Sequence, residues 1–220
     1  MDLSAKRPLV KICGITNADD GRQALDCGAD LLGFMLARSP RRVTAKMAAR
    51  LIDELRGHPR GAGVLMTGVF MNAPLGWCLK VAREARFDLV QLHGEEDPDY
   101  VGKVVAGGFK VMKVIKKLGK PAISAMSRYP EAWAFLLEPA KAGPGMNKPE
   151  NPRLAAAAPA VLEHPRVGVA GGVSAVNVAG IIAEIGPQLW MVDASSRLER
   201  FPGVKNPDLV RQLIRRAKGI

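Results

Sequence analysis

The chain has 220 residues, a formal net charge of +11 and three cysteines, a length that supports one sizeable core and a composition without repeats or the polar bias of disorder. No stretch nears the roughly 20 apolar residues that span a bilayer, and residues 1–8 lack the apolar core of a signal peptide. Cys13, Cys27 and Cys78 are an odd, widely spaced set that suits reduced thiols, not a disulfide framework or a metal site. These features predict a single domain over residues 1–220 in the cytoplasm. The charge invites a nucleic-acid reading, but the basic residues are scattered (Arg38, Arg41, Arg42; Lys113, Lys116, Lys117; Arg211, Arg215, Arg216), aromatics make up 5% of the chain, and no zinc, RNP or helix-turn-helix pattern is present. Neither nucleic acid nor membrane is an expected partner.

The first strand, over 9–12, has the length and β-branched content of a buried strand and delivers Cys13 and Gly14 at its tip. Asn17 then offers a helix cap with Asp19 and Asp20 in the first turn, and the helix over 17–27 is ended by Gly28. A second strand, 31–36, closes on Ser39-Pro40-Arg41-Arg42. Thr44 caps a helix to 56, in which Ala45, Ala48, Leu51, Ile52 and Leu55 recur at helical spacing. Strands over 67–71, 88–92, 109–114 and 134–137 alternate with helices over 74–85, 98–106 and 122–127, the last preceded by a basic loop over 116–120. The proline- and glycine-rich segment 139–152 reads as a loop and 153–162 as an alanine-rich helix. The seventh strand, 167–170, runs into Gly171-Gly172; a helix over 176–185, an eighth strand over 189–193 and a helix over 208–218 complete the chain. Eight strands, each followed by a helical segment, predict a (β/α)8 TIM barrel. A doubly wound open sheet is the alternative, weakened by the strand number and by the lack of a dinucleotide-type glycine motif after the first strand.

In a barrel the strand tips converge on one mouth, so Cys13, Arg41, His93, Glu138, Gly171-Gly172, Asp193 and Ser195-Ser196 become neighbours. Cys13 is either a base or nucleophile whose thiolate is favoured by Lys11 or Arg41, or a small buried hydrophobe. Glu138 is either an acid that protonates a leaving oxygen or half of a rim salt bridge, for example to Lys141. Asp193 could orient a substrate hydroxyl or amine, or cap the following turn. Gly171-Gly172 and Ser195-Ser196 lie after the seventh and eighth strands, where barrels bind phosphate through backbone N–H groups; a tight turn and a helix cap are the alternatives. His93 reads as a core or rim histidine bonded to backbone, and no metal site is assigned.

The stretches Lys11-Ile12-Cys13-Gly14-Ile15-Thr16-Asn17, Ser39-Pro40-Arg41, Gly68-Val69-Phe70-Met71-Asn72, Val90-Gln91-Leu92-His93-Gly94-Glu95-Glu96, Ala170-Gly171-Gly172-Val173 and Val192-Asp193-Ala194-Ser195-Ser196 carry a likeness in order and spacing. On these motifs the chain resembles the phosphoribosylanthranilate isomerase family over nearly its whole length. The resemblance implies a cofactor-free Amadori rearrangement in tryptophan biosynthesis, from an aminoaldose phosphate to a 1-amino-1-deoxyketose phosphate. It also implies Cys13 as the general base at C2 of the sugar, Glu138 as the general acid at the ring oxygen, and Arg41 at the anthranilate carboxylate. Asp193 would lie near the substrate amine and sugar, with the loops at Gly171-Gly172 and Ser195-Ser196 on the phosphate. The implied partner is a small phosphorylated molecule; the sequence does not address oligomeric state.

The chain departs from that family pattern at three places. Glu138 stands where the family has aspartate. Gly143-Pro144-Gly145 is shorter than the family's glycine-rich loop and lacks the Phe-Asp-Trp segment after it, and Arg197 replaces the glycine that follows the two serines. These changes keep two other readings open: an enzyme acting on a different phosphorylated sugar, and a phosphosugar-binding protein without catalysis.

Overall fold

The computed structural model describes residues 7–139 and 154–220. Eight parallel strands pair in sequence order and close on themselves: β1 (Leu9–Cys13), β2 (Leu31–Met35), β3 (Leu65–Phe70), β4 (Leu89–Leu92), β5 (Lys110–Ile115), β6 (Ala134–Leu137), β7 (Val167–Val169) and β8 (Met191–Ala194). Around them lie α1 (Ala18–Cys27), α2 (Ala45–Arg56), α3 (Leu75–Glu84), α4 (Pro98–Ala106), α5 (Lys120–Met126), α6 (Ala158–Glu163), α7 (Val178–Ile185) and α8 (Pro207–Lys218). The predicted barrel is the observed one. No helix among the described residues is long and apolar enough to cross a membrane.

Alternation along each strand sorts the side chains. Val10, Ile12, Phe34, Val90, Phe135 and Val192 face the helices and form the outer core. Leu31, Leu89, Met112, Leu136 and Met191 fill the barrel, and Trp133 and Trp190 pack edge to face at its N-terminal end with ring centroids 5.4 Å apart. The same parity, continued toward the C-terminal mouth, turns Lys11, Cys13, Gly33, Gln91 and Asp193 inward. Caps fix where the helices begin: Asn17 accepts from the Asp20 N–H at 2.8 Å and Thr44 from that of Met47. Gly28, at φ 94°, ends α1 in the left-handed conformation that glycine adopts without penalty.

Several boundaries differ from the sequence expectation. The first strand includes Cys13, β3 starts two residues earlier because Leu65 pairs with Leu31, and β8 runs over Met191–Ala194 instead of 189–193. α5 starts at Lys120, with Pro121 in its first turn, where a missing N–H costs nothing. The alanine-rich helix is split: a 3-10 turn covers Leu154–Ala157, and α6 starts anew around Pro159, which cannot donate to a continuous helix. A hairpin of β9 (Glu199–Phe201) and β10 (Val204–Lys205), turning through Pro202 and Gly203, was not expected. The predicted loop after Pro139, with Gly143-Pro144-Gly145 and Lys141, lies outside the described residues.

Candidate active site

Lys11 sits in the middle of an apolar strand, where an unpaired ammonium would cost several kcal/mol. The barrel register solves this: Lys11 pairs with Asp193 across the β1–β8 seam, and its Nζ lies 2.8 Å from Asp193 Oδ2 with both side chains buried. Burial works against the ammonium, but Asp193 and Cys13 outweigh it and hold the Lys11 pKa above its ordinary value. Cys13, two residues on and on the same face, is buried against this pair and hydrogen-bonded to Lys11. Desolvation pushes its thiol pKa up; Lys11 opposes that and Asp193 adds to it. Gly33 completes the corner, since a Cβ there would meet Cys13 Sγ at 2.7 Å and Lys11 Nζ at 3.1 Å. The second carboxylate oxygen of Asp193, Oδ1, is buried without a hydrogen-bond partner among the described residues.

A raised thiol pKa has a direct readout. Alkylation of Cys13 by iodoacetamide, followed by mass spectrometry, should still accelerate above about pH 9, beyond the ordinary thiol midpoint. A plateau already reached near neutral pH would mean that Lys11 outweighs burial at the sulfur.

Above Cys13 lies a second charged cluster. Arg41 grips Glu199 through Nε and Nη2, both at 2.7 Å, and Lys205 reaches the same carboxylate at 2.9 Å and the backbone carbonyl of Cys13 at 2.6 Å. Burial raises the Glu199 carboxyl pKa, but the two hydrogen-bonded cations outweigh that and hold it below the usual carboxylate value. Arg41 passes over Gly14, at φ 80°, where a Cβ would meet Arg41 Cδ at 2.7 Å and Ser195 Oγ at 3.1 Å. Glycine is needed there both for its backbone angle and for the close approach. The hairpin that carries Lys205 is tied to the first βα loop and the first turn of α1, because Thr16 donates to the Gly203 carbonyl and Asp20 accepts from the Lys205 N–H.

On the opposite wall, Glu138 follows β6 and meets His93 after β4, with Oε2 3.0 Å from His93 Nε2. The expected backbone-bonded histidine is therefore corrected: the imidazole contacts side chains on both nitrogens, with Nδ1 3.2 Å from Gln91 Nε2. The charge on Asp193 is sensed against both Glu138 and His93, which places the two walls in one field. The loop bearing His93 is held from beneath, where Glu96 accepts from the Asn72 and Gly94 N–H groups and pairs with buried Lys113 at 3.0 Å.

The glycine pair is built as a turn with both residues left-handed, at φ 89° and 97°. Gly171 abuts Glu138, whose Cγ would lie 3.1 Å from an added Cβ. Asn177 braces the loop, donating to the Gly172 carbonyl at 3.0 Å and accepting from the Ser174 N–H at 2.8 Å. Ser195 lies beside Gly14 and Arg41. Gly172 and Ser196 sit at the exposed rim, and Ser196 opens a 3-10 turn, Ser196–Leu198.

Charged groups gathered at the C-terminal ends of eight parallel strands place the candidate site of this chain where (β/α)8 enzymes carry their active sites. The comparisons give the family. The model of N-(5'-phosphoribosyl)anthranilate (PRA) isomerase matches residues 10–216. The chain is 39% identical to the N-(5'-phosphoribosyl)anthranilate isomerase of Rubrobacter xylanophilus, covering 95% of this chain and 98% of that one. It is 40% identical to that of Citrifermentans bemidjiense, covering 96% and 97%. The crystal structure of phosphoribosyl anthranilate isomerase from Thermotoga maritima superposes with a TM-score of 0.85 at 29% identity over 97% of this chain and 100% of that one. A complex of such an isomerase with reduced 1-(o-carboxyphenylamino)-1-deoxyribulose 5-phosphate gives 0.81, also at 29% and with the same coverage. The chain belongs to the phosphoribosylanthranilate isomerase family.

Proposed function

We propose that this chain, as one (β/α)8 domain over residues 1–220 in the cytoplasm, isomerises N-(5'-phosphoribosyl)anthranilate in tryptophan biosynthesis. The observation that carries the reading is the pairing of two proton-handling groups across one mouth: Cys13 set against Lys11 and Asp193, and Glu138 set against His93. Family membership supports it, as does the phosphosugar with a carboxyphenyl group bound by a structural relative.

The residues divide the work as follows. Glu138 gives a proton to the ring oxygen; the bond from that oxygen to C1 breaks with its electron pair left on oxygen, and the nitrogen lone pair closes a C1=N iminium. The Cys13 thiolate, stabilised by Lys11, then takes the proton from C2. The C2–H electrons form C1=C2, and the C=N pair returns to nitrogen as an enolamine. Movement of the hydroxyl proton from O2 to C1 gives the ketose, so no electrons leave the substrate. Asp193, through Oδ1, accepts from the substrate amine or hydroxyl. Arg41, held by Glu199 on its Nε and Nη2 edge, presents Nη1 to the carboxylate. The loops at Gly171, Gly172, Ser195 and Ser196 receive the phosphate.

Purified protein should therefore convert the substrate with loss of its fluorescence. Glu138→Gln keeps the shape of the side chain but removes the acid, and kcat should fall by about a hundredfold or more with KM little changed. Wild-type protein that binds a ribose phosphate yet turns nothing over would instead point to a binding protein. A fall in KM alone on Glu138→Gln would place the acid elsewhere.

A further inference from the structure

We propose that His93 is the positioning residue that holds and reloads the acid proton of Glu138, with Gln91 selecting the imidazole tautomer. This rests on the isomerase reading. The strand parity that turns Gln91 inward turns His93 inward two residues later, at the tip of β4, where its Nε2 meets the Glu138 carboxylate at 3.0 Å and its Nδ1 meets the Gln91 amide nitrogen at 3.2 Å. An amide nitrogen only donates, so in this arrangement Nδ1 accepts and the imidazole proton lies on Nε2, facing a Glu138 carboxylate. Such a pair is one proton short of an acid.

The second proton has a place to go. Gln91 Oε1 is buried without a partner among the described residues, and rotating the amide by half a turn brings that oxygen to Nδ1. An Nδ1–H then has an acceptor, and the imidazolium carries protons on both nitrogens. When the substrate ring opens, Nε2–H passes to the Glu138 carboxylate, and Glu138 hands that one proton on to the ring oxygen. His93 is left neutral with its proton on Nδ1 toward Gln91, and Glu138 is left as a carboxylate. Water reloads the pair from the rim, since the two side chains are 21% and 23% exposed. The C2 proton taken by Cys13 returns to solvent, which balances the cycle.

Several charged groups among the described residues face this pair. Asp193 on β8 interacts with both His93 and Glu138, and Lys11 on β1 stands behind it. Lys113 on β5 and Glu96 beyond β4 neutralise each other beneath the loop. Glu95, the outward neighbour, is paired with Lys116.

The test combines kinetics and NMR. His93→Gln retains a hydrogen-bond donor toward Glu138 but cannot carry the extra proton. It should lower kcat about tenfold or more, with KM changed less than about twofold, and should remove or displace the alkaline limb of the kcat pH profile. In two-bond proton–nitrogen spectra of the three histidines, His93 should hold its proton on Nε2 at high pH. Its titration should move in both Glu138→Gln and Gln91→Met. A pH profile of His93→Gln with the wild-type shape, or a His93 titration indifferent to Glu138→Gln, overturns the proposal. If His93→Gln fails to fold, the wild-type and Gln91→Met spectra decide alone. Wild-type protein without isomerase activity counts against the proposed function, while activity with an unmoved His93→Gln profile counts against the relay alone.

Discussion

On the proposed function, Cys13→Ser is expected to lower kcat by about ten-thousandfold, the upper end of what a general base contributes, while the protein stays folded and binds the analogue, reduced 1-(o-carboxyphenylamino)-1-deoxyribulose 5-phosphate, as tightly as wild type does. The replacement keeps the inward position at the tip of β1 and the contacts with Lys11 and Gly33, and it changes only the acidity of the atom that faces the sugar. Burial already pushes the thiol pKa above its ordinary value, and Lys11 opposes that push. A serine hydroxyl starts from a far higher value, beyond what one ammonium could bring to an alkoxide near neutral pH. Ligand binding should survive because the groups assigned to the substrate's anions, Arg41 and the two phosphate loops, lie elsewhere. The check is a pair of measurements on one preparation, turnover and calorimetric binding of the analogue. Turnover within about tenfold of wild type would move the base to another residue.

The distribution of legible and illegible features follows from the range of the interactions. Alternating apolar strands and capped helices are local, and residues such as Asn17, Gly28 and Thr44 announce themselves within a few positions. The strand tips are equally local, so Cys13, Glu138 and Asp193 could be placed on one mouth by counting strands. What each tip residue touches is another matter. The partner of Arg41 is 158 residues away on a hairpin that follows a 3-10 turn, and the lysine on the Cys13 carbonyl is 192 residues away. The sequence around His93 points only to a backbone partner, because nothing near it shows that Glu138, 45 residues on, reaches its imidazole. Two signals were present all the same. Lys11 interrupts an apolar strand, and Asp193 ends another of the same inward parity, so a buried charge on each demands an opposite charge beside it. Gln91 and His93 share one strand face, which foretells their contact.

That buried pair sets the second large effect. Lys11→Met should cost about 3–5 kcal/mol of stability, which for a chain of this size is a fall in Tm of about 10 °C. The methionine fills the volume of the lysine stem, so the loss arises mainly from the Asp193 carboxylate left without its cation in the barrel interior. Adding Asp193→Asn removes that stranded charge, and the double variant should regain most of the lost stability. Activity should respond in the opposite sense. Lys11→Met deprives Cys13 of the cation that most favours its thiolate, and Asp193→Asn takes the negative charge from the acceptor assigned to the substrate, so the double variant should be at least as slow as either single one. Thermal unfolding and kcat measured across this cycle separate a structural ion pair from a catalytic one. If the double variant recovered stability and turnover together, Lys11 and Asp193 would serve only to close the barrel, and the thiolate of Cys13 would owe its stability to Lys205 and Arg41 above it.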